Sequence, residues 1–232
     1  MRSIAHFLQL TSIVFLSGCL LTVQASENEE FSNANNMLFN KDHLGNLSTS
    51  THLNYHFVKS GTVESGFEDD IKLNFKPAKT VENRAVDVKL FSGDRNRWMP
   101  DFNGSKGNPL LTVFLQRDIH EMNRLTEGLW RHFQKQIKLA LENNAKIQAV
   151  NFEFDGKQYQ GKEIIIHPYL DDPYNKRFKK YAGKYYVFTL SDSLPGMLYQ
   201  IKAIAPDETE NSEGKKSVLV SEIVTLTAAT LD

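Results

Sequence analysis

Residues 107–144 form the one long stretch of this chain with helical periodicity, and segments with strand-like alternation lie on both sides of it. Asn108 followed by Pro109 predicts where the helix begins, because an asparagine side chain caps a first turn and proline is tolerated at the first helical position. Apolar residues then recur every three or four positions, at Leu111, Leu115, Ile119, Met122 and Leu125. This stripe predicts a helix that packs against a core.

Gly128 interrupts the stretch, and a glycine inside a helix costs roughly 0.8 to 1 kcal/mol relative to alanine. We therefore expect a kink or a break between Thr126 and Leu129. A second helix should follow, because the same apolar period continues through Trp130, Phe133, Ile137, Ala140 and Leu141. The whole stretch predicts a central helical pair over about residues 109–143, as a bent helix or a helical hairpin.

The rest of the chain is dominated by short segments with alternating apolar residues. They predict antiparallel strands near residues 53–57, 71–75, 86–90, 147–154, 159–167, 185–190, 197–205 and 217–226. Asp155-Gly156 is the strongest hairpin signal, and Asp172-Pro173 begins an additional short helix over about residues 173–182. We predict an α+β fold, with antiparallel β-sheet arranged as a sandwich or an open barrel around the helical pair.

The chain begins with the features of an export signal. Arg2 precedes a mostly apolar segment, residues 4–16, which is short for a membrane span. Leu16-Ser17-Gly18-Cys19 resembles the lipobox of bacterial lipoproteins, in which the cysteine is lipidated and becomes the first residue of the mature chain. The competing interpretation is signal-peptidase cleavage after Val23-Gln24-Ala25, which would remove Cys19.

The two cleavages differ only in where the signal peptide ends within residues 1–25. Residues 1–25 are the signal peptide, residues 26–50 are a flexible leader rich in Asn, Ser and Glu, and residues 51–232 are a single α+β domain. Cys19 is the only cysteine, so no disulfide within the chain is expected. We expect an exported, periplasmic protein, anchored to the outer membrane if Cys19 is lipidated. The sequence does not determine the oligomeric state.

Composition and motifs exclude several classes of function. The balance of 27 basic and 28 acidic residues argues against nucleic-acid binding. Neither a Gly-x-Ser-x-Gly elbow nor a P-loop is present. His120-Glu121 lacks the second histidine of a zinc-protease helix, because Arg124 stands at that position. We expect no cofactor and no bound metal. A periplasmic hydrolase or metalloprotein is the alternative hypothesis, and its candidate residues are Asp118, His120, Glu121 and His132.

A basic face on the helical pair is the strongest functional signal. Basic residues recur every seven positions, and on a continuous helix they share one side together with a neighbouring lysine; the set is Arg117, Arg124, Arg131, Lys135 and Lys138. Local pairing with Glu121, Glu127 and Glu142 on a solvated helix is the competing explanation. The first hypothesis is a non-enzymatic envelope lipoprotein or periplasmic accessory module. It would bind another envelope protein or an anionic envelope component through this face.

Overall fold

Nine antiparallel strands form one sheet in the computed structural model, which describes residues 33–210 and 216–231. The strands are β1 (Thr51–Ser60), β2 (Phe67–Lys76), β3 (Ala85–Leu90), β4 (Phe102–Asn103), β5 (Lys146–Phe154), β6 (Lys157–Ile166), β7 (Tyr185–Leu190), β8 (Leu198–Glu210) and β9 (Lys216–Leu231). Their order is β4-β3-β2-β1-β9-β8-β7-β6-β5. Two meanders are therefore joined at the centre, where the last strand pairs with the first.

Of the two predicted arrangements, a sandwich or an open barrel, the strand order excludes the sandwich. All nine strands that the structure describes belong to a single open sheet, which ends at β4 on one side and at β5 on the other. The β5–β6 hairpin predicted from Asp155-Gly156 is confirmed: both turn residues have positive φ, 50° and 68°, and Phe154 pairs with Lys157. Positive φ at both positions is what a two-residue type I′ turn requires.

The helices cover one face of the sheet. They are α1 (Asn33–Asn35), which continues into a π-helical turn (Asn36–Asn40), α2 (Pro109–Thr126), α3 (Trp130–Asn143) and α4 (Asn175–Phe178). A 3₁₀ turn (Lys179–Tyr181) follows α4, so this region is more irregular than the single helix predicted over 173–182. Among the described residues, the helices are all too short or too polar to cross a membrane.

The inward face of the sheet follows directly from the alternation of the strands. In β1, the buried side chains are Thr51, Leu53, Tyr55, Phe57 and Lys59, and the residues between them are partly exposed. Successive side chains of a strand point to opposite faces, so these residues face the helices. The last of them, Lys59, places a charged group in the same inward row, and the sheet must therefore provide partners for it.

Residues 33–50 differ from the flexible leader predicted over 26–50. Leu38 and Leu44 are almost completely buried in the core, and His43 is fully buried. The His43 ring bridges two segments: Nδ1 accepts the backbone N–H of Asn108 at 3.1 Å, and Nε2 donates to the Met37 carbonyl at 2.7 Å. Residues 33–50 thus belong to the same compact unit as the sheet, which begins well before residue 51. The predicted signal peptide and Cys19 lie outside the described residues.

Candidate functional site

A sharp corner at Glu127 and Gly128 joins α2 to α3. Glu127 ends α2 in the left-handed conformation, with φ 57°, and its N–H donates to the Asn123 carbonyl at 2.8 Å. Gly128 lies over the buried Phe133 ring, where a Cβ would stand 2.6 Å from the nearest ring carbon. Only glycine fits this contact without displacing the ring. The two helices can therefore turn sharply and pack side by side.

The groove between α2 and α3 has a volume of about 630 Å³ and is also lined by Asn35, Phe39 and Asn40 from α1 and the π-helical turn. Its apolar wall consists of Phe39, Leu115, Ile119, Ile137, Leu139 and Leu141. Phe39 and Leu139 are 37% and 42% exposed, whereas Ile119 and Ile137 are buried at the base. A concave, mostly apolar site of this size is typical of a small-molecule pocket.

Charged groups occupy the rim of this groove rather than its base. Lys135 and Lys138 line it from α3, and neither forms an ion pair within 33–210 or 216–231. Glu142 lies at the far end, where its carboxylate accepts a hydrogen bond from Asn35 Nδ2 at 2.6 Å. The rim therefore presents two cations beside an apolar base.

The five residues of the predicted basic face lie in different environments in the structure. Arg117 is directed inward and binds the buried Glu222 carboxylate through two hydrogen bonds, of 2.5 and 2.9 Å. Arg124 contacts Glu64 and Glu121. Beyond the helix break, the Arg131 guanidinium lies over the Trp130 ring at 4.8 Å, and Lys135 and Lys138 reach the groove. The break at Gly128 thus separates two paired arginines from three cations without a carboxylate partner among the described residues.

The residues of the hydrolase hypothesis do not converge. Asp118 is fully buried and accepts hydrogen bonds of 2.5 Å from both Lys184 Nζ and the Tyr186 hydroxyl. His120 is exposed and contacts Gln116, whereas His132 pairs with the buried Asp172 at 2.6 Å. Within the described ranges, no three His, Cys, Asp or Glu side chains are arranged to hold a metal ion. The four residues thus contact different neighbours and do not surround a common pocket.

Lys59, on β1, and Glu121, on α2, belong to a charged cluster that the sequence did not predict. Lys59 Nζ lies 2.7 Å from Glu121, 2.9 Å from Glu64 and 3.6 Å from Glu222. Lys184 and Tyr186, which hold Asp118, were also missed. One signal was available: Lys59 continues the inward alternation of β1, and a lysine on a buried face implies a carboxylate partner.

This cluster changes the acidity of its members. Burial alone would raise the pKa of Glu121, but hydrogen bonds from Arg124 and Lys59 outweigh it and lower the pKa to about 2. Burial likewise opposes the effect of Arg117 on Glu222, and the net result is a lowered pKa. The pKa of Glu64 is lowered chiefly by its hydrogen bond with Lys59. All three groups are therefore carboxylates at neutral pH.

The lowered pKa values predict a loss of stability in acid. A carboxyl group whose folded pKa lies below its unfolded value stabilises the protein above the unfolded pKa, here 4.5. This contribution is lost as pH falls from about 4.5 toward 2. Urea unfolding from pH 7 to pH 2 should show the decline. In Glu121→Gln the slope below pH 4.5 should be smaller by up to about 1.4 kcal/mol per pH unit. An unchanged slope would contradict the assignment.

A second cavity, of about 700 Å³, is lined by β5, β6, the turn before β8 and the segment of residues 37–43. Its lining includes Lys41, His43, Lys162, Asp192 and Ser193. The ion pair of Lys41 with Asp192, at 2.7 Å, satisfies two of these charges internally. This cavity is more polar than the groove and has fewer apolar side chains to enclose a hydrocarbon chain. The groove between α2 and α3 is the stronger candidate site.

Comparison with known proteins gives a distant structural likeness. No protein-family model matches the chain, and no curated protein matches it in sequence. Among solved structures, it is similar to the lipoprotein LppX of Mycobacterium tuberculosis, with 12% identity, a TM-score of 0.30 and coverage of 80% of this chain and 91% of that one. It is also similar to a LolA superfamily protein of Nitrosomonas europaea, with 12% identity, a TM-score of 0.25 and coverage of 86% and 93%. At these scores, neither structure defines a function for this chain.

Proposed function

We propose that this protein is a non-enzymatic binding protein of the cell envelope that holds the acyl chain of an anionic lipid or fatty acid in the groove between α2 and α3. The observation that carries the proposal is the combination of an apolar groove of about 630 Å³ with two lysines on its rim. A hydrocarbon chain fits the groove, and a carboxylate or phosphate fits the lysines.

The apolar wall supplies the affinity. Each methylene transferred from water to an apolar environment contributes about 0.8 kcal/mol. Phe39 and Leu139 leave part of their side chains exposed beside the groove, and an acyl chain would cover them. Part of this gain is offset by the loss of translational and conformational freedom of the ligand. We therefore expect an affinity that increases with the length of the chain.

The rim lysines supply the preference for an anion. Lys135 and Lys138 lack a carboxylate partner in the part of the chain that the structure describes. A lipid head group with a negative charge would find both cations at one side of the groove. An anionic lipid is a suitable class of ligand for a protein with the predicted export signal. Of the five basic residues predicted to form the binding face, only Lys135 and Lys138 line the groove.

Calorimetry with two ligands tests the proposal. Comparing palmitate with palmitoyl-lysophosphatidylglycerol shows whether the site prefers a carboxylate or a phosphate head group. The double variant Lys135→Glu/Lys138→Glu should bind the preferred ligand about ten- to a hundredfold more weakly. Shortening the fatty acid from palmitate should lower the affinity by up to about fourfold for each methylene removed.

The control is Lys157→Glu, because Lys157 is an exposed lysine at the start of β6 and does not line the groove. Its affinity for both ligands should equal that of the unmodified protein. An affinity that is independent of chain length, or equal in the double variant and the control, would refute binding in the groove.

A further inference from the structure

Leu129 lies at an exposed corner where neither packing nor capping explains it. Leu129 is 76% exposed and occupies the N-cap position of α3, where its carbonyl accepts the His132 N–H at 2.9 Å but its side chain provides no capping hydrogen bond. Ser, Thr, Asp and Asn are preferred at this position because their side chains satisfy a free backbone N–H. An exposed leucine here gains nothing from the folded chain itself.

Trp130 extends this apolar corner and carries a cation with it. The ring is half-buried against the core, and the Arg131 guanidinium lies 4.8 Å from its centre. His120 faces the same ring at 6.4 Å. Tryptophan and arginine with one apolar side and one polar side are enriched at the boundary between hydrocarbon and water. Leu129, Trp130 and Arg131 together form what we call the corner surface.

The side of α3 that continues from the corner surface carries three cations. Arg131, Lys135 and Lys138 are spaced by four and three residues, so they share one side of α3. The carboxylate groups nearest in sequence are Glu127, at the end of α2, and Glu142, which is held by Asn35. Across 33–210 and 216–231, no carboxylate pairs with the three cations. The corner thus combines exposed apolar atoms with a basic side.

We propose that the corner surface docks on the surface of an anionic lipid bilayer, with Leu129 and Trp130 in the interface and the basic side of α3 on the head groups. A protein partner is less suited, because stable protein interfaces bury about 800 Å² on each partner and three residues provide far less. A bilayer needs only a few apolar anchors together with cations. The inference goes beyond the proposed function, which concerns a single ligand in the groove.

Tryptophan fluorescence isolates the corner, because the chain has only two tryptophans, Trp98 and Trp130. Trp98→Phe leaves Trp130 as the sole emitter. On addition of phosphatidylglycerol vesicles, its emission should shift to shorter wavelength, and the shift should be smaller with phosphatidylcholine and should decrease with salt. Trp130→Phe should show no comparable shift from Trp98. Absence of a shift in Trp98→Phe, or a larger shift in Trp130→Phe, would overturn the proposal.

Leu129→Glu provides a second, quantitative test by co-sedimentation with the same vesicles. A charged residue at the interface should reduce the fraction bound at least about tenfold. Leu231→Glu is the matched control, because Leu231 is 62% exposed at the end of β9, and it should bind like the unmodified protein. Equal binding by Leu129→Glu, or equal loss in both variants, would overturn the docking. Palmitate affinity should be retained in Leu129→Glu, so failure of the groove and failure of the corner are distinguishable.

Discussion

Replacing Lys184 with alanine is expected to destabilise the protein by about 3 to 5 kcal/mol, because it leaves a buried carboxylate without its cation. Asp118 is fully buried, Lys184 is 1% exposed, and the two are joined at 2.5 Å. The Tyr186 hydroxyl also binds Asp118, but it carries no compensating charge. Urea unfolding at pH 7, followed by circular dichroism, measures the change in the free energy of unfolding.

Two further variants separate the loss of a partner from the loss of a side chain. Lys41→Ala removes an exposed ion pair with Asp192, and it should cost less than about 1 kcal/mol. Asp118→Asn/Lys184→Met removes both charges and should recover much of the stability lost in Lys184→Ala. If Lys184→Ala lowered the free energy of unfolding no more than Lys41→Ala does, the predicted contribution of the buried pair to stability would be wrong.

Phe133→Ala should have a similarly large effect, about 3 to 5 kcal/mol, because it opens a cavity under α3. The Phe133 ring is fully buried and packs against Tyr169 and Phe178, with centroid distances of 5.5 and 5.2 Å. These contacts hold α3 in place beside the groove. Thermal and urea unfolding measure the loss.

The control for this variant is Leu139→Ala on the same helix. Leu139 is 42% exposed, so its replacement should leave unfolding nearly unchanged. Palmitate affinity should nevertheless fall in Leu139→Ala, because this side chain lines the groove. Equal destabilisation by the two substitutions would contradict the assigned packing of α3.

Local signals in the sequence predicted a large part of the fold. The cap at Asn108 accepts the Leu110 N–H at 3.1 Å, and the left-handed residue beside Gly128 ends α2 near the expected break. The hairpin at Asp155-Gly156 was also predicted, because its turn chemistry depends on two adjacent residues. Caps, turns and apolar periods depend on residues that are close together in the chain, so they can be predicted from one sequence.

The rest of the fold depends on contacts that are distant in sequence. The position of β9 between β1 and β8 has no local signal. Residues 33–50 resemble a leader in composition, yet His43 is buried because its ring binds Asn108, which lies 65 residues later. The pairing of Arg117 with Glu222 spans 105 residues. The regular spacing of the basic residues therefore did not reveal which of them pair with buried carboxylates.

The candidate site also combines residues that the sequence predicted with residues that only the tertiary packing identifies. Lys135 and Lys138 were predicted as part of a binding face, and the structure places both on the rim of the groove. The apolar wall opposite them was not predicted, because Ile119 and Ile137 look like ordinary core residues in each helix taken alone. Only the packing of α2 against α3 shows that these residues share a groove with the exposed Phe39.

Photo-crosslinking with a palmitate analogue that carries a diazirine at the end of its chain tests the central claim most directly. After illumination and proteolysis, mass spectrometry should locate the label on the groove wall, at Leu115, Ile119 or Ile137, and excess palmitate should suppress it. Label concentrated in the second cavity, at Ala149, Val150 or Met197, or labelling that excess palmitate does not suppress, would contradict acyl-chain binding between α2 and α3.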